Sequence, residues 1–344
     1  MQGRRAEVAA LVMTLAVSGT GVVLFRVAHL PLPWLLGPML GCLVAALAGL
    51  PLRGAPRASM VMRTILGVAV GASITPALVH RLPQMTASLA MMPLLVVAVG
   101  AVGYPLFRRV FGFDHPTSYY AAMPGGLQDM LVFGAEAGGD MRALGLIHAT
   151  RVLIVVSLLP LVFAYILGVD MSRPPGLPAA DIPVVELALM AAAAILGWQG
   201  AQAVGLFGAT ILGPMIAAAA LSLGGIISHR PPAEAITAAQ FFIGFTVGVK
   251  YTGITPREVR RVVGAGVVFS LLTLVIAVGF AGVAIWLHVV PPVEGLLSFS
   301  PGGQAEMAVL AIVAGADVAF VVSHHVVRIV IVILGAPIVA RRLR

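Results

Sequence analysis

The chain has 344 residues, 60% of them hydrophobic and only 10% charged, with a mean hydropathy of +1.05. Soluble domains carry about 25% charged residues, so this composition excludes an ordinary soluble domain and points to an all-α polytopic membrane protein. The net charge of +8 comes from basic residues scattered at segment ends. That distribution suits membrane orientation and not a nucleic-acid groove. The single cysteine, Cys42, excludes an intrachain disulfide and a thiolate metal cluster.

In chain order, Met1–Glu7 carries two arginines ahead of an uncharged run at 8–25. This pattern is compatible with a secretory signal, but the run has a counterpart in the second half and reads as a first span. Residues 33–50 follow, containing Leu36-Gly37-Pro38-Met39, and then a segment with Gly67 and Gly71 at GxxxG spacing. GxxxG reads as a helix-packing face. A long apolar run occupies 82–107, and PGGLQDM stands at 124–130. The half closes on a span carrying His148 and Arg151. The polar stretch GVDMSRPPGLPAADIP at 168–183 reads as a linker.

The second half repeats this plan. At an offset of 177, Pro124, Gly125 and Gly126 fall on Pro301, Gly302 and Gly303, and Asp129 falls on Glu306. His148 falls on His325, Arg151 on Arg328, and Gly67 and Gly71 on Gly244 and Gly248. At an offset of 176, Leu36-Gly37-Pro38-Met39 falls on Leu212-Gly213-Pro214-Met215. The chain therefore divides into a first repeat at 1–168, a linker at 169–183 and a second repeat at 184–344, each with five to six apolar segments.

Charge asymmetry addresses orientation, because cytoplasmic loops are enriched in Lys and Arg. If every segment crosses, the 19 basic residues outside Arg151 and Arg328 split 12 to 7. If one segment per half, most simply the PGG segment, enters and leaves by the same face, the second half is inverted and the split becomes 15 to 4. The four on the outer side are then Arg26, Arg81, Arg173 and Arg230. The alternative non-crossing segment is 33–50. The expectation is inverted repeats with broken or re-entrant helices at the PGG motifs, both termini cytoplasmic, and a periplasmic linker.

Pro-Gly-Gly inside an apolar segment should break a helix. In secondary transporters, broken helix ends at the midplane offer unpaired N–H and C=O groups to solute. The candidate site is Pro124, Gly125, Gly126, Gln128 and Asp129, with Pro301, Gly302, Gly303, Gln304 and Glu306. Gln128 and Gln304 add amides. Asp129 and Glu306 add acids for a proton, a sodium ion or a cation. His148, Arg151, His325 and Arg328 put charge at depth, where arginine costs about 2.5–3.5 kcal/mol on the insertion scale. At about 100° per residue, Asp140, His148 and Arg151 share a helix face, as do Asp317, His325 and Arg328. The simplest expectation places the arginines beside Asp129 and Glu306, as ion pairs or as a clamp on an anion. The alternative is a purely structural role for the pairs. His324 has no counterpart in the first half and reads as incidental. No nucleophile elbow, phosphate loop or HExxH stands in the sequence, so neither an enzyme nor a cofactor or metal site is expected.

The duplicated unit with L-G-P-M, G-x-x-x-G, P-G-G-x-x-[DE]-M and H-x-x-R resembles the AbrB family of bacterial inner-membrane proteins, over nearly the whole chain. That resemblance implies a multi-pass protein of a bacterial inner membrane. Family members carry labels as regulators of an alkylation-response gene or as proposed ammonia monooxygenases, neither of which these residues imply. The family name is shared with an unrelated soluble DNA-binding regulator, and no DNA-binding module stands here. The expected function is a secondary transporter of a small polar or anionic solute, coupled to H⁺ or Na⁺. The alternatives are a membrane regulator acting through a partner protein and, third, a membrane monooxygenase. Expected partners are the solute or ion and the lipid bilayer, with no nucleic acid. A homo-oligomer is left open.

Overall fold

The computed structural model describes residues 2–342. Side chains at 2–4, 77–82, 84, 341 and 342 are outside the description. Arg4, Arg81, Arg341, Arg342 and Arg344, which enter the charge count, therefore lie outside the described side chains.

The described residues are helical and contain no strand. The first half holds α1 (Gln2–Val27), α2 (Pro33–Leu47), α3 (Pro56–Gly71), α4 (Pro76–Pro105), α5 (His115–Ala122), α6 (Leu127–Glu136) and α7 (Met141–Leu161). The second holds α8 (Val184–Ala203), α9 (Ala209–Leu223), α10 (Ala233–Gly248), α11 (Gly264–Trp286), α12 (Pro292–Phe299), α13 (Gln304–Ala314) and α14 (Val318–Arg342). The repeat holds at the level of helix ends. Offsets of 176 map α2 onto α9, and offsets of 177 map α3 onto α10 and α5 onto α12, at both termini. The starts of α6 and α7 map onto those of α13 and α14 at 177.

Six stretches are long and apolar enough to cross a membrane: Arg5–Val27, Met85–Val110, Met141–Ile166, Val184–Ala203, Pro256–Trp286 and Val318–Ala340. A span needs roughly 20 residues, which α5, α6, α12 and α13 each lack. The PGG segment of each half is two short helices joined at the motif.

Prolines set several helix starts. Pro33, Pro56, Pro116 and Pro292 stand in the first turns of α2, α3, α5 and α12, where the missing N–H is no loss. The Asp114 carboxylate caps α5 by accepting from the Thr117 amide at 2.7 Å.

The chain forms two compact units, and each draws matching elements from both halves. The first unit comprises Met1–Leu82, Pro160–Gly253 and Ala305–Ala319. Here GxxxG of one half packs on the L-G-P-M helix of the other. Gly67 and Gly71 of α3 lie against the Ile211 and Met215 carbonyls of α9, and Gly244 and Gly248 of α10 lie against the Leu35 and Met39 carbonyls of α2. Any Cβ at these four positions would collide with backbone, so only glycine permits this approach. Gly21 against Gly37, and Gly197 against Gly213, bring α1 onto α2 and α8 onto α9 in the same way.

The second unit comprises Pro83–Leu159, Ile254–Gln304 and Phe320–Arg344. In it, Phe107 packs on Phe269 with ring centroids 4.9 Å apart, and the Tyr119 hydroxyl donates to the Ala336 carbonyl at 2.9 Å. Buried His324 stacks on Phe320 and meets the Ser88 hydroxyl at 2.9 Å, a stitch with no equivalent in the first half.

Candidate functional site: two clamped helix breaks

Each break begins with its proline. A residue before proline is pushed out of the helical region, and Met123 (φ −76°, ψ 128°) and Ser300 (φ −67°, ψ 137°) are both extended. Helices α5 and α12 end there. Pro124, Gly125, Pro301 and Gly302 are buried. Gly126 (φ −65°, ψ 141°) is the N-cap from which α6 restarts.

A helix end leaves carbonyls without intrahelical partners, and within a membrane no bulk water satisfies them. The H-x-x-R side chains do. The Arg151 guanidinium donates to the Met123 carbonyl at 3.2 Å and the Gly125 carbonyl at 2.9 Å. Arg328 does the same for Ser300 at 2.8 Å and Gly302 at 2.9 Å. His148 donates from Nε2 to the Tyr120 carbonyl at 3.1 Å, and His325 to the Leu297 carbonyl at 3.0 Å. These six bonds fall on matching atoms of the two halves. All four side chains are buried, with exposure of 1% or less. A carbonyl can only accept, so each histidine carries a proton on Nε2. In neither ring does Nδ1 have a protein partner. The imidazoles act as donors to the broken backbone.

The acids take a different place from the one expected of them. Asp129 stands in the first turn of α6 with its carboxylate folded back against Gly126, and Glu306 stands in the first turn of α13. Acids there meet the positive end of the helix dipole. Arg328 makes no ion pair with a carboxylate among the described residues; its hydrogen bonds go to backbone carbonyls. Asp140 does not join the buried face either. Its carboxylate caps α7 by accepting from the Arg142 and Ala143 amides at 2.9 and 3.0 Å.

The glutamines part company. Gln128 is exposed, whereas the Gln304 amide nitrogen is buried with no protein hydrogen bond. The backbone acceptors at Tyr120, Met123, Leu297 and Ser300 escape any reading of side-chain types. Only the shared separation of 28 residues from each to its histidine or arginine could have flagged them.

The fold and these breaks define a multi-pass helical membrane protein built from a duplicated unit with two interrupted helices. The family described as "Transition state regulatory protein AbrB" matches residues 34–344, and the chain belongs to this AbrB family. It is 26% identical, over 92% of this chain and 91% of the relative, to "Putative regulator AbrB" of Escherichia coli (strain K12). It is likewise 26% identical, over 94% of this chain and 90% of the relative, to "Uncharacterized protein YhjN" of Bacillus subtilis (strain 168).

Proposed function

We propose that the protein is a secondary transporter of a small polar or anionic solute, coupled to H⁺ or Na⁺. It would work in the bacterial inner membrane with both termini cytoplasmic, as a carrier and not an enzyme, with no nucleic-acid partner. The observation that carries this reading is the twofold helix break held open by a buried arginine. An unbroken helix would satisfy its own carbonyls without burying a charge. Burying two arginines and two histidines to hold the alternative makes sense if the break is needed for what it presents. What it presents is a helix N-terminus with an acid in its first turn, twice. Backbone amides there favour anionic groups, and Asp129 and Glu306 can each take a proton or a sodium ion. The regulator reading draws only on the names of the family and of one relative.

The test is uptake into proteoliposomes under an imposed proton or sodium gradient, screening small carboxylates, phosphate and amines. Asp129→Asn and Glu306→Gln are expected to abolish gradient-driven uptake of a transported solute while leaving folded protein in the membrane. Undiminished driven uptake by both variants removes the acids from coupling. Absence of uptake across the whole screen, with expression of other genes changing on deletion, would favour the regulator.

A further inference from the structure

A cavity of about 740 Å³ is lined wholly by residues of the first unit. It opens between the end of α1, the start of α2, the linker and α10. Its volume falls in the range typical of small-molecule sites, about 300–1,000 Å³. Its lining includes Thr237 and Gln240 of α10. Gln240 is only 4% exposed as a residue, and its side chain makes no hydrogen bond to protein among the described residues. Its amide atoms are not among the fully enclosed, unpartnered polar atoms, so the amide faces the cavity and is free to pair with a group bound there.

Aromatic and cationic side chains share the lining. Trp34 and Tyr165 line the cavity with 37% and 70% of their surfaces exposed. Arg26 and Arg173 line it as well. Arg173 faces Asp170 at a loose 3.8 Å. Asp170 is itself engaged by the Ser172 hydroxyl at 2.6 Å and amide at 2.9 Å. Arg26 has no side-chain partner among the described residues, so the lining keeps a net positive charge. His29 and Leu32, two of the three non-glycine residues described with positive φ, also line the cavity (both φ 50°). Such backbone persists where its surroundings over-determine it.

The duplication does not reproduce this site. At the offset of 177, Gln240 and Thr237 correspond to Arg63 and Met60, and at 176 Trp34 corresponds to Thr210. The cavity is therefore particular to one end of the repeat. Val313 of α13 also lines it. Seven residues separate it from Glu306, which places the two on one helix face about two turns apart.

We infer that this cavity is a binding site for a small organic carboxylate with an aromatic or apolar body. The carboxylate meets the Arg26 and Arg173 guanidiniums, the body lies against Trp34 and Tyr165, and the Gln240 amide and Thr237 hydroxyl pair with a polar substituent. The site goes beyond the transport reading, since binding can be measured whether or not solute crosses the membrane.

The experiment is isothermal titration of the full chain in nanodiscs of phosphatidylcholine alone, with benzoate, phenylpyruvate, succinate and inorganic phosphate as probes. Saturable binding is expected for at least one aromatic carboxylate, more tightly than for succinate or phosphate. Arg26→Gln should weaken it about tenfold or more. Gln240→Glu, which keeps size and places an anion in the lining, should do the same in protein that melts like wild type. Arg109→Gln, outside the cavity, should leave it unchanged. No saturable binding by either aromatic probe, or equal affinity in the Arg26 and Gln240 variants, overturns the assignment. So does loss of benzoate binding when phosphatidylglycerol replaces half the lipid, which would give the site to a lipid headgroup.

Discussion

The two helix breaks share their chemistry and differ in their surroundings. At both, a proline ends one short helix, glycines follow, and an arginine and a histidine from the next helix hold the freed carbonyls. Beyond the break they diverge. On α6 only Met130 and Gly134 are buried, whereas α13 is buried from Ala305 to Ala314 without interruption. Asp129 is half-buried, while Glu306 is 7% exposed. The division into compact units falls at the same place, between Gln304 and Ala305. A local device has thus been kept in duplicate, while the helix it launches has been adapted to two environments. In a transporter, that inequality would let one break respond to solute and the other anchor the site.

The largest expected effect would break the shared part of the comparison. Arg151→Met and Arg328→Met each leave two buried carbonyls without a donor, at about 1–3 kcal/mol apiece. Each variant should lower the unfolding midpoint of purified protein steeply and by similar amounts. Lysine should not rescue either, because a single ammonium lacks the fork that spans two carbonyls. A strong loss in one half with none in the other would show that the clamps are not equivalent.

A smaller effect would sharpen the difference. Val132 and Val309 occupy matching positions, 53% and 0% exposed. Val309→Ala removes two buried methylene equivalents and should cost about 1.5 kcal/mol, while Val132→Ala should stay within about 0.5 kcal/mol. Equal costs would mean that α6 is as enclosed as α13. The smallest effect concerns the half-buried acid. Asp129→Asn removes one charge from a helix N-terminus, worth about 0.3–1 kcal/mol, so its melting curve should barely move even where driven uptake is lost. A collapse in stability would recast Asp129 as a structural residue.

Much of this was legible in the residues. Proline's effect on its neighbour is local, so both breaks could be placed to within a residue. The spacing of H-x-x-R put His148 with Arg151, and His325 with Arg328, on one helix face. What those side chains touch was not legible. The reading by charge assigned the arginines to the acids, because Asp129 and Glu306 are the conspicuous anions nearby. Their acceptors proved to be carbonyls, which every residue carries and which no side-chain pattern distinguishes. Asp140 was misjudged for a related reason: helical periodicity places it on the buried face, but as the cap of α7 its carboxylate belongs to the backbone amides of the first turn.

By itself, the sequence determined the membrane class, the duplication, the helix breaks and the glycine faces, since each follows from hydropathy, spacing or the backbone limits of proline and glycine. Only the tertiary structure decided that GxxxG of each half pairs with L-G-P-M of the other, that α13 is enclosed while α6 is not, and that Gln240 opens into a cavity. Those outcomes depend on which surfaces meet. Two apolar helices of similar composition can be buried or exposed according to neighbours that lie more than a hundred residues away in the chain.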